Sequence, residues 1–228
     1  MERFIGVDKY ENIYSIDKNI FFKTTDQKQY QFSALQLGEI TSVDILNPLK
    51  IVLFYKELNT VVILDDKLNE IERVRFNEFA DFRDLSFATK AEKNTLWIFN
   101  KNSQELEVFD YKQNKTLAKS FPIPEKILDM KSNFNYCWIL TSKSLKRFNI
   151  YGSFLDEFPV DQIFQINFYN KYVLMADEEG LIFFDYKKQK PERLRLPQKK
   201  IESFYSANEN IYIYDGINIH HYTFNPPK

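Results

Sequence analysis

This 228-residue chain has little of several things, and each shortage removes a class of explanation. It holds one cysteine, Cys137, so no intramolecular disulfide can form. That cysteine stands in the apolar run Tyr136-Cys137-Trp138-Ile139-Leu140, with no local base or electropositive neighbour. It reads as a buried, inert small hydrophobe, not as a nucleophile. There are two histidines, His220 and His221, side by side. Neighbours on a strand point to opposite faces, so the pair makes a poor chelate and a poor start for a Ser-His-Asp arrangement. The five glycines stand singly at Gly6, Gly38, Gly152, Gly180 and Gly216, which excludes a glycine-rich phosphate loop.

A basic excess is also missing. Lys and Arg number 31 against 32 Asp and Glu, a net charge of -1 with the two signs interspersed. This argues against a nucleic-acid binder or one for an anionic membrane surface. No apolar run approaches the ~20 residues of a membrane-spanning helix, so direct membrane insertion is not expected. No signal peptide is visible. Residues Arg3 to Asp8 already read as a strand, so Met1 is expected to replace an upstream segment. If Met1 is the native start, a cytoplasmic scaffold is the reading that follows.

What is abundant is aromatic. Phe 22 and Tyr 14 favour strands, because flat rings pack well on a pleated, half-buried surface. Short strand-patterned runs recur along the whole chain, with Asn, Asp, Lys and Ser between them. One helical turn fits Asn77 to Arg83. The clearest repeat is the second strand of each group. Its copies start at Ile13, Ile51, Leu96, Cys137, Tyr172 and Ile211, with spacings of 38, 45, 41, 35 and 39. A four-stranded propeller blade repeats about every 40 to 50 residues, and short hairpins shorten it. The expected fold is therefore a single all-β domain over residues 1–228, a β-propeller of about six short four-stranded blades, with five as the alternative.

First strands are expected at Phe4 to Asp8, Ile40 to Ile45, Leu85 to Thr89, Ile127 to Lys131, Ile163 to Phe168 and Ile201 to Tyr205. Third strands end in turns opened by Asp or Asn, as in Phe109-Asp110-Tyr111-Lys112 and Phe184-Asp185-Tyr186-Lys187. An acid repeated at one place in several units is a turn device, since an active site needs one constellation and not one per repeat. With few glycines, Asn, Asp and Lys are expected to fill most turns, and Asn and Asp tolerate left-handed backbone better than other non-glycine residues. The sixth group, ending at Ile219 to Phe224, lacks a fourth strand. Either residues upstream of Met1 complete that blade, or it has three strands.

No residue set marks catalysis, a metal or a cofactor, and the chain is expected to be non-enzymatic. Asp177-Glu178-Glu179-Gly180 looks like a hairpin tip and lacks the spaced ligands of a calcium loop. The WD dipeptide and the sialidase-type Asp box are absent. Surface is what remains. Connectors between blades share one face of a propeller with the hairpins between second and third strands. Here that face carries Leu35 to Glu39, Asn77 to Asp84, Pro122 to Glu125, Asp161, Pro197 to Lys199, Glu57-Leu58-Asn59 and Asp177 to Gly180. The candidate partner-binding residues are Phe79, Phe82, Arg83, Glu57, Asn59, Asp177 and Glu178. Exposed rings beside Arg83 would suit an interface anchor; the alternative is that both rings tuck into a seam between blades. A glycan or small-molecule binder is the other reading, and it needs Trp97 or Trp138 exposed for stacking.

The stretch Ile40 to Asp65, Ile-Thr-Ser-Val-Asp-Ile-Leu-Asn-Pro-Leu-Lys-Ile-Val-Leu-Phe-Tyr-Lys-Glu-Leu-Asn-Thr-Val-Val-Ile-Leu-Asp, together with Phe4-Ile5-Gly6-Val7-Asp8, resembles a family of small exported proteins from Bacteroidetes, notably Flavobacteria. That family is similar to the plug of the type 9 secretion translocon. The resemblance implies a periplasmic, non-enzymatic protein, monomeric by itself. Its partner would be a large outer-membrane β-barrel whose pore it seals. It also implies a signal peptide upstream, and it carries no binding residues over.

Overall fold

The computed structural model describes residues 2–169, 172–197, 200–207 and 209–223. Met1, Gln198, Lys199 and Phe224, named above, lie outside them. The described chain forms a six-bladed β-propeller, which settles the choice between five blades and six. Blade 1 contains β1 (Arg3–Val7), β2 (Ile13–Asp17), β3 (Ile20–Thr24) and β4 (Gln29–Phe32). Blade 2 contains β5 (Ser42–Asp44), β6 (Ile51–Tyr55), β7 (Thr60–Leu64) and β8 (Glu70–Arg75). Blade 3 contains β9 (Leu85–Lys90), β10 (Thr95–Asn100), β11 (Glu105–Asp110) and β12 (Lys115–Lys119). Blade 4 contains β13 (Ile127–Ser132), β14 (Tyr136–Thr141), β15 (Ser144–Asn149) and β16 (Phe154–Pro159). Blade 5 contains β17 (Gln165–Tyr169), β18 (Tyr172–Asp177), β19 (Gly180–Asp185) and β20 (Lys190–Arg193). Blade 6 has three strands, β21 (Ser203–Ala207), β22 (Asn210–Tyr214) and β23 (Ile219–Thr223). Every pairing is antiparallel between chain neighbours, and the first strand of each blade lines the hub.

Burial follows position in the blade. Strands β6, β7 and β10 are buried along their whole length, because both faces of a middle strand meet a neighbouring blade. Outer strands are polar, as in β12 and β20. The cores are the seams between blades. In each of the first five, the outer part of one blade shares a core with the third strand of the next. Tyr30 and Phe32 of β4 join Val62 and Leu64 of β7. Val74 of β8 joins Phe109 of β11, and Ala118 of β12 joins Phe148 of β15. Phe158 of β16 lies 5.1 Å from the ring of Phe184 in β19. Leu194 and Leu196, just after β20, join the core that includes Tyr222 of β23.

The sixth seam, which closes the ring, is the smallest. Its buried residues are Phe4, Val7 and Tyr214, with Tyr205, Tyr212 and Ile219 packed on them, and no fourth-strand residue takes part. Blades 6 and 1 approach so closely that a Cβ on Gly6 would stand 2.6 Å from Cγ of Tyr205.

The repeated acids are turn devices, as expected. Asp110 Oδ1 accepts from the N–H groups of Lys112 and Gln113, and Asp185 Oδ1 from those of Lys187 and Lys188. Asp65 and Asn149 act in the same way. Left-handed positions are spread over more residue types than Asn, Asp and Lys. Among the described residues eleven non-glycine residues have positive φ, and besides Asn19, Asn59 and Asn114 they include Glu11, Lys18, Leu68, Lys93, Gln104, Gln162, Gln189 and Glu209. The side-chain oxygen that opens the turn holds the backbone from outside, so the residue with φ > 0 need not be Asn or Asp. Phe76–Glu78 forms a single 3-10 turn, slightly earlier than the predicted turn at Asn77 to Arg83. No helix among the described residues is long and apolar enough to cross a membrane.

Candidate functional site

Inner strands β5, β9, β13, β17 and β21 carry polar side chains that line the hub, and several of these bond from blade to blade, whereas β1 contributes Ile5. Asp44 Oδ2 accepts from the Lys90 N–H at 2.7 Å and from the Thr89 hydroxyl, so blade 2 is tied to blade 3. Asp44 Oδ1 accepts from the Leu46 N–H at 2.7 Å. The Ser132 hydroxyl donates to the Lys90 carbonyl at 2.6 Å, tying blade 4 to blade 3. Asp129 Oδ2 accepts from the Ile166 N–H at 3.0 Å, linking blades 4 and 5. Gln165 and the backbone of Phe204 exchange two bonds of 3.2 Å, and the Ser206 hydroxyl donates to the Phe168 carbonyl, linking blades 5 and 6. The hub cavity that remains is about 170 Å³. That is room for about five waters at ~30 Å³ each, below the ~300 Å³ at which small-molecule pockets begin.

Both hub carboxylates accept from backbone N–H groups of the next blade, so each fastens one blade to another. No cluster of three or more His, Cys, Asp or Glu suited to a metal occurs among the described residues. Cys137 is fully buried and its thiol is pushed well up, chiefly by burial. His220 Nε2 lies 2.7 Å from Asp215 Oδ2, while the His221 ring stacks on Tyr212, so the two histidines part as expected.

The candidate partner-binding residues are divided by the structure. Phe79 tucks into the seam between blades 2 and 3, 5.6 Å from Phe76 and 5.7 Å from Phe109, while Phe82 stays exposed. Arg83 is not a surface anchor. It is 6% exposed, lies over the Phe109 ring, and donates through Nε to Glu107 at 3.1 Å. Glu107 is fully buried and also accepts from Asn100 Nδ2 at 3.1 Å and Thr116 Oγ1 at 2.6 Å. Asn59 is likewise internal: its amide donates to the Arg83 carbonyl and its Oδ1 accepts from the Leu85 N–H. A buried guanidinium and a buried amide serve the seam because each has polar partners there and would otherwise be costly to enclose. Glu57 is exposed on the same side of the ring. Asp177 and Glu178 stand on blade 5, across the ring from the other five. Asp177 holds Arg193 at 2.6 and 2.8 Å; that pairing and the N–H groups of Glu179 and Gly180 outweigh burial and lower its carboxyl from the ordinary value.

The face that carries the connectors presents Leu35, Leu58, Phe82, Phe121, Phe164 and Ile217 to solvent. A hollow of about 480 Å³ opens on the same face, floored by Phe87, Phe99, Ile123 and Pro124 with Lys56 and Lys101 at its edge. Sequence reasoning named Pro122 to Glu125 and missed the hub residues and Glu107. The hub had a signal: three of the first strands carry polar residues at alternate positions, Ser42 and Asp44, Asp129 and Lys131, and Gln165 and Asn167.

No protein-family model matches the chain, and no curated protein does. Solved structures do resemble it. A streptogramin B lyase superposes with a TM-score of 0.66 at 11% identity, over 99% of this chain and 84% of that one. The WD40 domain of Neurospora crassa Pan2 gives 0.64 at 9% identity, over 95% and 72%. PorZ, a surface component of the type-IX secretion system of Porphyromonas gingivalis, gives 0.57 at 13% identity, over 98% of this chain and 33% of PorZ. The likeness is one of fold. A lyase, a WD40 domain and a secretion component share the blades and differ in what they do, so the fold alone assigns no activity.

Proposed function

We propose that this propeller is a non-enzymatic protein-binding disc, and specifically a periplasmic plug that seals the outer-membrane translocon pore of the type 9 secretion system. The observation that carries the reading is the narrow, cross-tied hub. A wide aqueous pore leaks solutes unless its stopper blocks it, and axial side chains tie blades 2 to 6 to one another around a cavity of only about 170 Å³. With nothing accommodated inside, the outer surface does the work, and the apolar side chains on the connector face are suited to a partner. The near-zero net charge fits docking by shape more than by steering. The translocon partner itself rests on the resemblance of residues 40–65, and the fold is compatible with it, since a type-IX component uses the same blades.

The glycan-binding alternative loses its main support, because Trp97 and Trp138 are both buried in the seams. The test is an affinity pull-down of the tagged protein from detergent-solubilised outer membranes of its host, read by mass spectrometry. Co-purification of a very large β-barrel of the type 9 system is expected. An extract that contains the barrel but yields none of it with the tagged protein overturns the translocon reading.

A further inference from the structure

Among the described residues five blades own an outer strand that covers the third strand of the following blade; blade 6 does not. The consequence is visible on both sides of the closing seam. In blades 2 and 3 the third-strand residues that face backward, Val62 and Leu64 or Glu107 and Phe109, are fully buried. In blade 1, Phe22 is only half-buried and Thr24 is exposed, although they hold comparable places on β3. Ile13, which pairs with Thr24, is exposed as well.

The outer edge of β23 pairs with no described strand. The Asp215 N–H bonds the Asn218 carbonyl, and the alternation of an antiparallel ladder then turns the N–H and C=O groups of Ile219, His221 and Thr223 outward. Native edges are usually blunted by charge, proline or a bulge. Strands β8, β12, β16 and β20 carry Lys, Arg, Asp, Glu or Pro. Strand β23, Ile-His-His-Tyr-Thr, like the short outer strand β4, carries none of these, and it runs in unbroken register with β22.

We propose that this open edge and the under-filled seam beside it form a strand-accepting site for another polypeptide. The partner is an extended segment of four to six residues, the length of the five native outer strands. Its backbone continues the β21–β23 sheet. Its apolar side chains, at two alternate positions, cover Phe22 and its neighbours as Tyr30 and Phe32 cover blade 2. Among residues 1–228 no spare segment supplies it: strand β1 already serves blade 1, and the residues printed after β23 include Pro226 and Pro227, which have no N–H to give a ladder. A second copy would bring Ile219, His221 and Thr223 to the seam, one apolar side chain where the native outer strands bring two. The inference is independent of the translocon reading and survives its failure.

The test uses the full chain, with and without a strand of proven fit, Glu-Ile-Glu-Arg-Val-Arg-Phe (its own residues 70–76), fused after Lys228 through a flexible linker. Hydrogen exchange is followed at residues 219–223. Fast exchange in the unfused monomer is expected. Slowing by roughly tenfold or more should follow in the fusion, the factor given by ~1.4 kcal/mol of local stability. A fused strand with proline in place of the isoleucine and the valine should give no slowing. Unchanged exchange in the proper fusion overturns the proposal. So does an edge already protected in the unfused chain: at monomer mass in sedimentation the occupant is the chain itself, and at dimer mass a second copy.

Discussion

Replacing Arg83 by methionine separates a seam residue from a surface anchor. The side chain it removes is nearly enclosed and is the hydrogen-bonded cationic partner of Glu107, which has no exposure at all; the exposed Lys119 ammonium stands farther off, at 3.8 Å. Removing one member of a buried pair costs ~3–5 kcal/mol, because the other charge is left enclosed. The second partner, Asp81, is largely exposed and adds little. For a chain of this size each kcal/mol moves Tm by roughly 2–4 °C, so a fall of roughly 6–20 °C is expected in a circular-dichroism melt near neutral pH. The loss should depend on pH. In the native protein burial pushes the Glu107 carboxyl up, but hydrogen bonds from Thr116, Asn100 and Arg83 and the charge of Arg83 pull it net below its ordinary value. Its contribution is therefore full above the unfolded carboxylate range and is lost as pH falls through the lower folded value. In Arg83→Met the hydrogen bond and the charge of Arg83 are gone, so the folded carboxyl stands higher than in the native protein and contributes less at neutral pH. The gap between the two proteins should be wide at pH 7 and narrow near pH 4. The double variant Arg83→Met/Glu107→Leu should recover most of the loss. A Tm change under about 2 °C, or a gap equal at both pH values, would refute the buried-pair account and return Arg83 to the list of partner residues.

Lys90 donates to the carbonyls of Ala91, Lys93 and Thr95, and burial, with the nearby Lys50, pulls its pKa from 10.5 to about 8 against Asp44 and Glu92. The unfolded chain holds that proton longer, so the folded state should gain stability as pH rises from about 8 toward 10.5, and Lys90→Met should lack this gain in parallel urea titrations. Gly6→Ala drives a methyl group into the Tyr205 ring and should cost ~1–3 kcal/mol by chemical denaturation, with partial rescue by Tyr205→Ala. The enclosed Cys137 thiol should resist an aromatic disulfide reagent in the native protein and react at once in denaturant.

The blade count was legible because the second strands are apolar in every copy and recur at near-constant spacing, a signal that survives sequence divergence between blades. The turn acids were legible for the same reason. The interior polar groups were not. Arg83, Asn59 and Glu107 belong to residue types that usually face water, and what encloses them is a contact between blades that no local pattern announces. Phe79 and Phe82 are three residues apart in one connector, yet one ring completes a seam and the other does not. That choice depends on the path of a connector whose direction is set after Phe76 enters the core.

The way the circle is fastened has a mechanical consequence. Blades 1 to 5 each lock onto a successor that follows directly along the chain, so most of the molecule can assemble in order from one end, each unit templating the next. Only one joint brings together residues about 200 positions apart, such as Gly6 and Tyr205, and it pays the entropy of closing that whole loop. It is also the joint with the least apolar cover and no strand shared across it. A chain pulled by its two ends would therefore open there first, as a bracelet opens at its clasp, leaving an arc of intact blades that can snap shut again.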